Sequence, residues 1–310
     1  MRKTVLIFGA SSFLGSNLLE VLSQDYRIVG TYYGTPIQIP GILTLRCDAL
    51  KKDNVQRIVA MVKPDVTIYS GGMSSITACH ANAKLADAIN SAALINVCSS
   101  AERYGSKFVF VSSSFVLGGD DVLYSESDTP FPSTVYGTTL ASSEFYVQKS
   151  CLNYIIFRSC PLYGRAYHPT RRNWLEPFEN SLVQGNPVSI DDHVSHGHLD
   201  VQILAKLIKL GIEKNVTNRL FQVTSKDIMS RYDFAREYCK VFGLDEDLVQ
   251  RTQWTLPLDG MNARGKSRSS YSYKMDTKNV EEFFGLRMPT IEETLKATKK
   301  RLAGGVADKL

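Results

Sequence analysis

Hydroxyls are the side chains in this sequence best suited to chemistry. The apolar run Phe108-Val109-Phe110-Val111 passes into Ser112, Ser113 and Ser114, and Val135-Tyr136-Gly137 follows after a polar interval. If Ser113 closes a strand and Tyr136 opens a helix, the serine hydroxyl can bind a substrate carbonyl while the phenol exchanges a proton with it. Packing alone also puts serines at strand ends and aromatics at helix starts, so on residue type both readings stand.

A second constellation opens the chain. Residues 5–22 read VLIFGASSFLGSNLLEVL, an apolar strand, a Gly/Ser turn and a helix whose Leu14, Leu18, Val21 and Leu22 share one face. Gly9 sits where the chain leaves the strand, and Gly15 where a missing side chain allows close packing. Ser12 occupies the position where a middle glycine is commoner. Strand, turn and helix in that order present backbone amides to a pyrophosphate, with Gly9, Ser11, Ser12, Phe13, Leu14 and Gly15 as the candidate contacts. A turn that merely packs is the alternative.

Three further segments bear on a dinucleotide. The second strand ends Val29-Gly30-Thr31-Tyr32-Tyr33 without the acid that usually holds an NAD ribose. This removes a repulsion against a 2′-phosphate and tilts the reading toward NADP, with NAD as the alternative. No arginine stands at that strand end. Asp48 closes the third strand, as an adenine contact or as a helix-start acid. Ser70-Gly71-Gly72 closes the fourth, where glycines let a ligand lie against the backbone.

The elements that position these residues alternate. Strands are expected at Thr4–Phe8, Arg27–Tyr33, Ile42–Cys47, Val66–Ser70, Lys107–Val111 and Tyr154–Arg158. Helices lie between them, one stopping before Pro64 and a long one carrying Ala86, Ile89, Ala93 and Val97 on one face. This is α/β order, a doubly wound parallel sheet. Residues 165–195 are polar and broken by Pro169, Pro177 and Pro187. A helix returns at Leu199–Ile212, a strand at Leu220–Val223, and a helix at Tyr232–Phe242 behind Ser230 and Asp233. Residues 255–275 read as loop, and a last helix covers Ile291–Leu302. The expected division is a dinucleotide-binding domain of residues 1–164 plus about 196–224, and a smaller mixed α/β lobe of about 165–195 plus 225–310.

Bulk properties narrow the class. A chain of 310 residues with 44% hydrophobic and 22% charged residues can bury a large core. The net charge of +5 is scattered, apart from Arg171-Arg172 and Lys299-Lys300-Arg301, which argues against nucleic acid and suits an anionic small molecule. Six cysteines show no metal-ligand spacing and read as reduced thiols of a cytoplasmic protein. No apolar stretch approaches a membrane span. In the lobe, Arg171, Arg172, Trp174 and Arg268 are candidates for diphosphate and base recognition, against a solvated loop with a core tryptophan. His193, His196 and His198 near Asp191, Asp192 and Asp200 are too loosely spaced for a metal site, and none is expected.

The ordered set GASSFLG, Asp48, YSGGM, Asn90, FVSSSFV, VYG and RSCPLYG resembles the extended short-chain dehydrogenase/reductase family, and within it the dTDP-4-dehydrorhamnose reductase-like members that act on nucleotide sugars. The resemblance spans most of the chain and is tightest over residues 4–165. It implies a Rossmann sheet with a smaller substrate lobe, Ser113 and Tyr136 as catalytic residues, and Asn90 as a structural or proton-relay residue. It adds Tyr32, Ala49, Tyr136 and Cys160 to the cofactor contacts, and Met73 and Ser114 to those of a nucleotide sugar. Relatives often pair through the helices flanking the Tyr136 segment, so it also allows a homodimer.

One departure matters. The family pattern is Tyr-x-x-x-Lys, and here Tyr136 is followed by Leu140. The lysine's charge lowers the tyrosine pKa and its ammonium holds the nicotinamide ribose, neither of which leucine does. Lys149 lies about 20 Å further along the helix at 1.5 Å per residue and is no substitute. Oxidation needs a phenolate, whereas reduction needs the neutral phenol that is already there. The expectation is an NAD(P)H-dependent reductase of a keto group on a nucleotide-linked deoxysugar. The alternatives are a cofactor-binding regulatory or assembly subunit and, more distantly, an epimerase.

Overall fold

Runs such as Val5-Leu6-Ile7-Phe8 and Phe108-Val109-Phe110 lack polar alternation, so strands built from them must be covered on both faces. The structure, a computed structural model, describes residues 2–167, 173–252 and 270–303 and shows that arrangement. Seven parallel strands, β1 (Thr4–Phe8), β2 (Arg27–Tyr32), β3 (Leu43–Arg46), β4 (Val66–Tyr69), β5 (Lys107–Ser113), β6 (Tyr154–Ser159) and β7 (Arg219–Val223), lie in the order β7-β6-β5-β4-β1-β2-β3. The order reverses between β1 and β4, and doubly wound sheets bind ligands outside the carboxyl ends of the strands at such a point.

The covering helices are α1 (Phe13–Leu22), α2 (Lys52–Val62), the short α3 (Ile76–Ala81) and α4 (Ala83–Asp87), α5 (Ala93–Arg103) and α6 (Val135–Ser150). The long helix expected through Ala86, Ile89, Ala93 and Val97 is interrupted. Residues Ala88–Ala92 form one π-turn between α4 and α5, and its extra residue carries Asn90 and Ser91 inward while Ile89 stays partly exposed. A strict 3.6-residue period cannot show that shift.

The remaining helices are α7 (Leu175–Val183), α8 (Val201–Glu213), α9 (Arg231–Phe242), α10 (Lys278–Phe284) and α11 (Ile291–Ala303). The segment 165–195, expected to be irregular, contains α7 and strands at Val188–Asp191 and Val194–His196. Pro177 falls in the first turn of α7, where its missing N–H costs nothing, and Leu175, Phe178 and Leu182 make the buried face. The stretch 255–275, expected to be loop, ends in a strand, Tyr271–Met275, whose tyrosines alternate inward. That strand joins Val194–His196 and Leu123–Tyr124 in a four-stranded sheet. Two apolar cores result. The larger surrounds the main sheet and includes Tyr271, Tyr273, Phe284 and Met288, while a smaller one gathers Tyr163, Leu175, Phe178, Phe234, Tyr238 and Leu295.

Candidate active site

The glycine turn is held between β1, β2 and β4. Gly9 has a φ of 85°, and a Cβ there would fall 2.5 Å from the Gly71 amide nitrogen, so a side chain is excluded twice over. The Ala10 amide donates to the Thr31 carbonyl at 2.8 Å, and the Ser70 hydroxyl donates to the carbonyls of Phe8 and Gly9 at 3.1 and 3.3 Å. Ser12 caps α1: its Oγ accepts from the Gly15 amide at 2.9 Å, and its carbonyl accepts from Ser16. Gly15 packs against the turn itself, where a Cβ would meet the Gly9 carbonyl at 2.1 Å. Ser11 is buried. The first turn of α1 leaves the amides of Phe13 and Leu14 for an acceptor from outside the helix. With no side chain in the way, this backbone cradle fits a pyrophosphate.

Along the same edge, Tyr32 is half-buried and Asp48 turns the chain toward α2, its Oδ1 accepting from the Leu50 amide at 3.1 Å. The neighbouring Ala49 carbonyl accepts from Asn96 at 3.0 Å. Cys160 follows β6, fully enclosed, and burial pushes its thiol up to about 12. Gly71 and Gly72 carry the chain from β4 to Met73.

The hydroxyl pair comes together. Ser113 ends β5 half-buried, its Oγ accepting from the Phe115 amide at 3.3 Å and lying near enough to the Tyr136 hydroxyl to favour its ionised form. The Tyr136 ring keeps partial exposure, but its hydroxyl end is crowded. Burial pushes that hydroxyl up to about 12, opposed by the Ser113 hydroxyl and reinforced by the nearby Cys79 thiol. Thr134 caps α6 and so fixes where the tyrosine enters. Asn90 is spent on structure: its Oδ1 accepts from the Met73 amide at 2.7 Å, and its Nδ2 donates to the Met73 carbonyl at 3.1 Å and to Thr139 Oγ1 at 3.0 Å. It fastens the segment after β4 to the helix that carries Tyr136.

Two contributors were not apparent from sequence. Gly137 lets α6 touch the turn after β5, since a Cβ there would fall 1.9 Å from the Phe115 carbonyl oxygen. Glu144 lies two turns beyond Tyr136 on the same stripe as Leu140 and takes Arg158 of β6 in a bidentate pair at 2.8–3.1 Å, with both side chains buried. A lone carboxylate on an inward helix face was the available signal. Leu140, 6% exposed, joins the main core, and Lys149 lies at the far end of α6 over the Phe145 ring.

Toward the lobe, Ser114 Oγ is buried and without a protein partner. Trp174 packs on Phe178 and Phe234 at ring separations of 5.6 and 5.9 Å, with the Arg231 guanidinium 4.9 Å above it. Its ring is therefore part of the smaller core. Arg171, Arg172 and Arg268 lie outside the described residues. His196 stacks on Tyr273 and His198 on Phe234; burial lowers both, His198 to about 3, so they are neutral near pH 7. Among the described residues no cluster of three or more His, Cys, Asp or Glu could hold a metal, and no helix is long and apolar enough to cross a membrane.

The family described as RmlD substrate binding domain matches residues 2–303. A probable low-salt glycan biosynthesis reductase, Agl14, of Haloferax volcanii is 26% identical over 303 residues, covering 94% of this chain and 95% of that protein. Methionine adenosyltransferase 2 subunit beta of Danio rerio is 20% identical over 249 residues, 78% of this chain and 75% of that one. Among solved structures, the dTDP-4-dehydrorhamnose reductase of Bacillus anthracis in complex with NADP has a TM-score of 0.81 at 20% identity, over 97% of this chain and 100% of that one. At that identity the likeness speaks for the shared doubly wound fold.

Proposed function

Because this chain belongs to the RmlD substrate binding domain family, we propose that it is an NADPH-dependent reductase of a keto group on a nucleotide-linked deoxysugar. The observation that carries the reading is the Ser113–Tyr136 hydroxyl pair at the same sheet edge as the Gly9 cradle. The amides at the head of α1 would hold the dinucleotide pyrophosphate, with Asp48 toward the adenine and Gly71 and Gly72 leaving room along the edge. When bound, a reduced nicotinamide supplies hydride to a carbonyl carbon.

The chain's own residues do the rest. Ser113 Oγ directs a hydrogen bond at the carbonyl oxygen and polarises it. Tyr136 Oη holds the proton that this oxygen takes up as it becomes an alcohol. With no cation at position 140 and a phenol raised by burial, the tyrosine starts each cycle as the acid, the form reduction needs. Asn90, Gly137 and the Glu144–Arg158 pair position α6 and touch no substrate.

The test is absorbance at 340 nm with NADPH and a panel of nucleotide-diphosphate-linked keto-deoxysugars, dTDP-4-dehydrorhamnose among them. Consumption of NADPH with at least one member is expected. Tight NADPH binding with no consumption across the panel would favour a second reading, a dinucleotide-binding subunit. Leu140 buried at the position of the family lysine favours that reading, as does the similarity to a protein named as a subunit.

A further inference from the structure

Resting on the dinucleotide reading above, we propose that Arg46 sets cofactor choice by gripping the 2′-phosphate of NADPH. Strands β2 and β3 pair in parallel so that Tyr32 stands opposite Arg46 at the last position of both. Paired residues of parallel neighbours project to the same face, and residues two apart along a strand share it. The face is identified by Gly30, which pairs with Thr44. A Cβ at Gly30 would lie 2.8 Å from Ala10 Cβ and 3.6 Å from Leu19 of α1. Arg46 therefore leaves the sheet on the side of the glycine turn and α1, at the carboxyl edge, beside the strand end where an adenosine ribose is read.

The charge around it suits a phosphate. Arg46 is exposed, and among the described residues its guanidinium has no ion-pair or hydrogen-bond partner. Its strand neighbours at this edge, Tyr32 and Tyr33, are uncharged. The carboxylate of Asp48 is engaged with the Leu50 amide. A guanidinium fork matches a phosphate monoester in two parallel hydrogen bonds and has nothing comparable to grip on a free 2′-hydroxyl. The arginine missing from the end of β2 is thus supplied by the adjacent strand.

Binding decides it without turnover. Isothermal titration of the full chain with NADPH, NADH, 2′,5′-ADP and 5′-AMP is expected to show R46A weakening NADPH and 2′,5′-ADP about 10- to 100-fold, while NADH and 5′-AMP move less than about twofold. R46K, which keeps the charge and loses the fork, should fall between. Thermal melts of these surface variants should match the parent. If the parent binds NADPH tightly and R46A keeps the same NADPH to NADH ratio, Arg46 is not the discriminator and the dinucleotide reading stands. If the parent binds neither dinucleotide, both fall together.

Discussion

The Tyr136 hydroxyl, raised to about 12 with buried Leu140 at the position of the family lysine, makes a sharp prediction about pH. With that value, about 1 molecule in 100,000 is a phenolate at pH 7 and about 1 in 100 at pH 10. Reduction of a ketone by NADPH consumes one proton, so the ratio of forward to reverse kcat/KM must change tenfold per pH unit. A phenol that stays protonated throughout leaves all of that change to the reverse direction. Reduction should therefore be flat from about pH 6 to 10, and oxidation of the product alcohol by NADP should rise about tenfold per unit with no plateau. A cation at position 140 would draw the pKa down by about 1–3 units and bring a plateau into view. The assay is initial velocity in both directions across that range in buffers of constant ionic strength. A reduction rate that falls above about pH 8, with oxidation levelling there, would mean that Tyr136 ionises well below 12.

Other substitutions separate the parts of the site. Gly9→Ala forces a Cβ against Gly71 at a positive φ and should cost at least about tenfold in NADPH affinity by titration, through about 1–2 kcal/mol of backbone strain plus the clash. Gly137→Ala pushes α6 off the Phe115 carbonyl and should lower kcat about tenfold or more while NADPH affinity stays within about twofold. Glu144→Gln leaves Arg158 buried without its counter-charge and should cost about 3–5 kcal/mol in denaturant unfolding, with Glu144→Leu plus Arg158→Met recovering most of it.

What could be read from the sequence was local. The strand–turn–helix grammar around Gly9 and the alternation of apolar runs were enough for a doubly wound sheet, because each signal sits within one element. Contacts between distant segments were not legible. Arg46 stands beside Tyr32 only once β2 and β3 are paired, and Gly137 matters only because the Phe115 carbonyl lies against it. Glu144 gains its partner only when β6 brings Arg158 against α6. Asn90 was legible as a residue of interest, but the π-turn that carries it inward has no periodic signature. Around α7 the prolines misled, since one in a first helical turn reads the same as one that breaks a helix.

In the proposed reduction the proton comes from Tyr136. Tyr136→Phe removes only the hydroxyl, and its kcat for NADPH-dependent reduction of whichever sugar nucleotide the parent accepts is the direct measurement. A loss of about 100- to 10,000-fold, with NADPH affinity within about twofold of the parent, is the predicted result. Turnover equal to the parent's would contradict it.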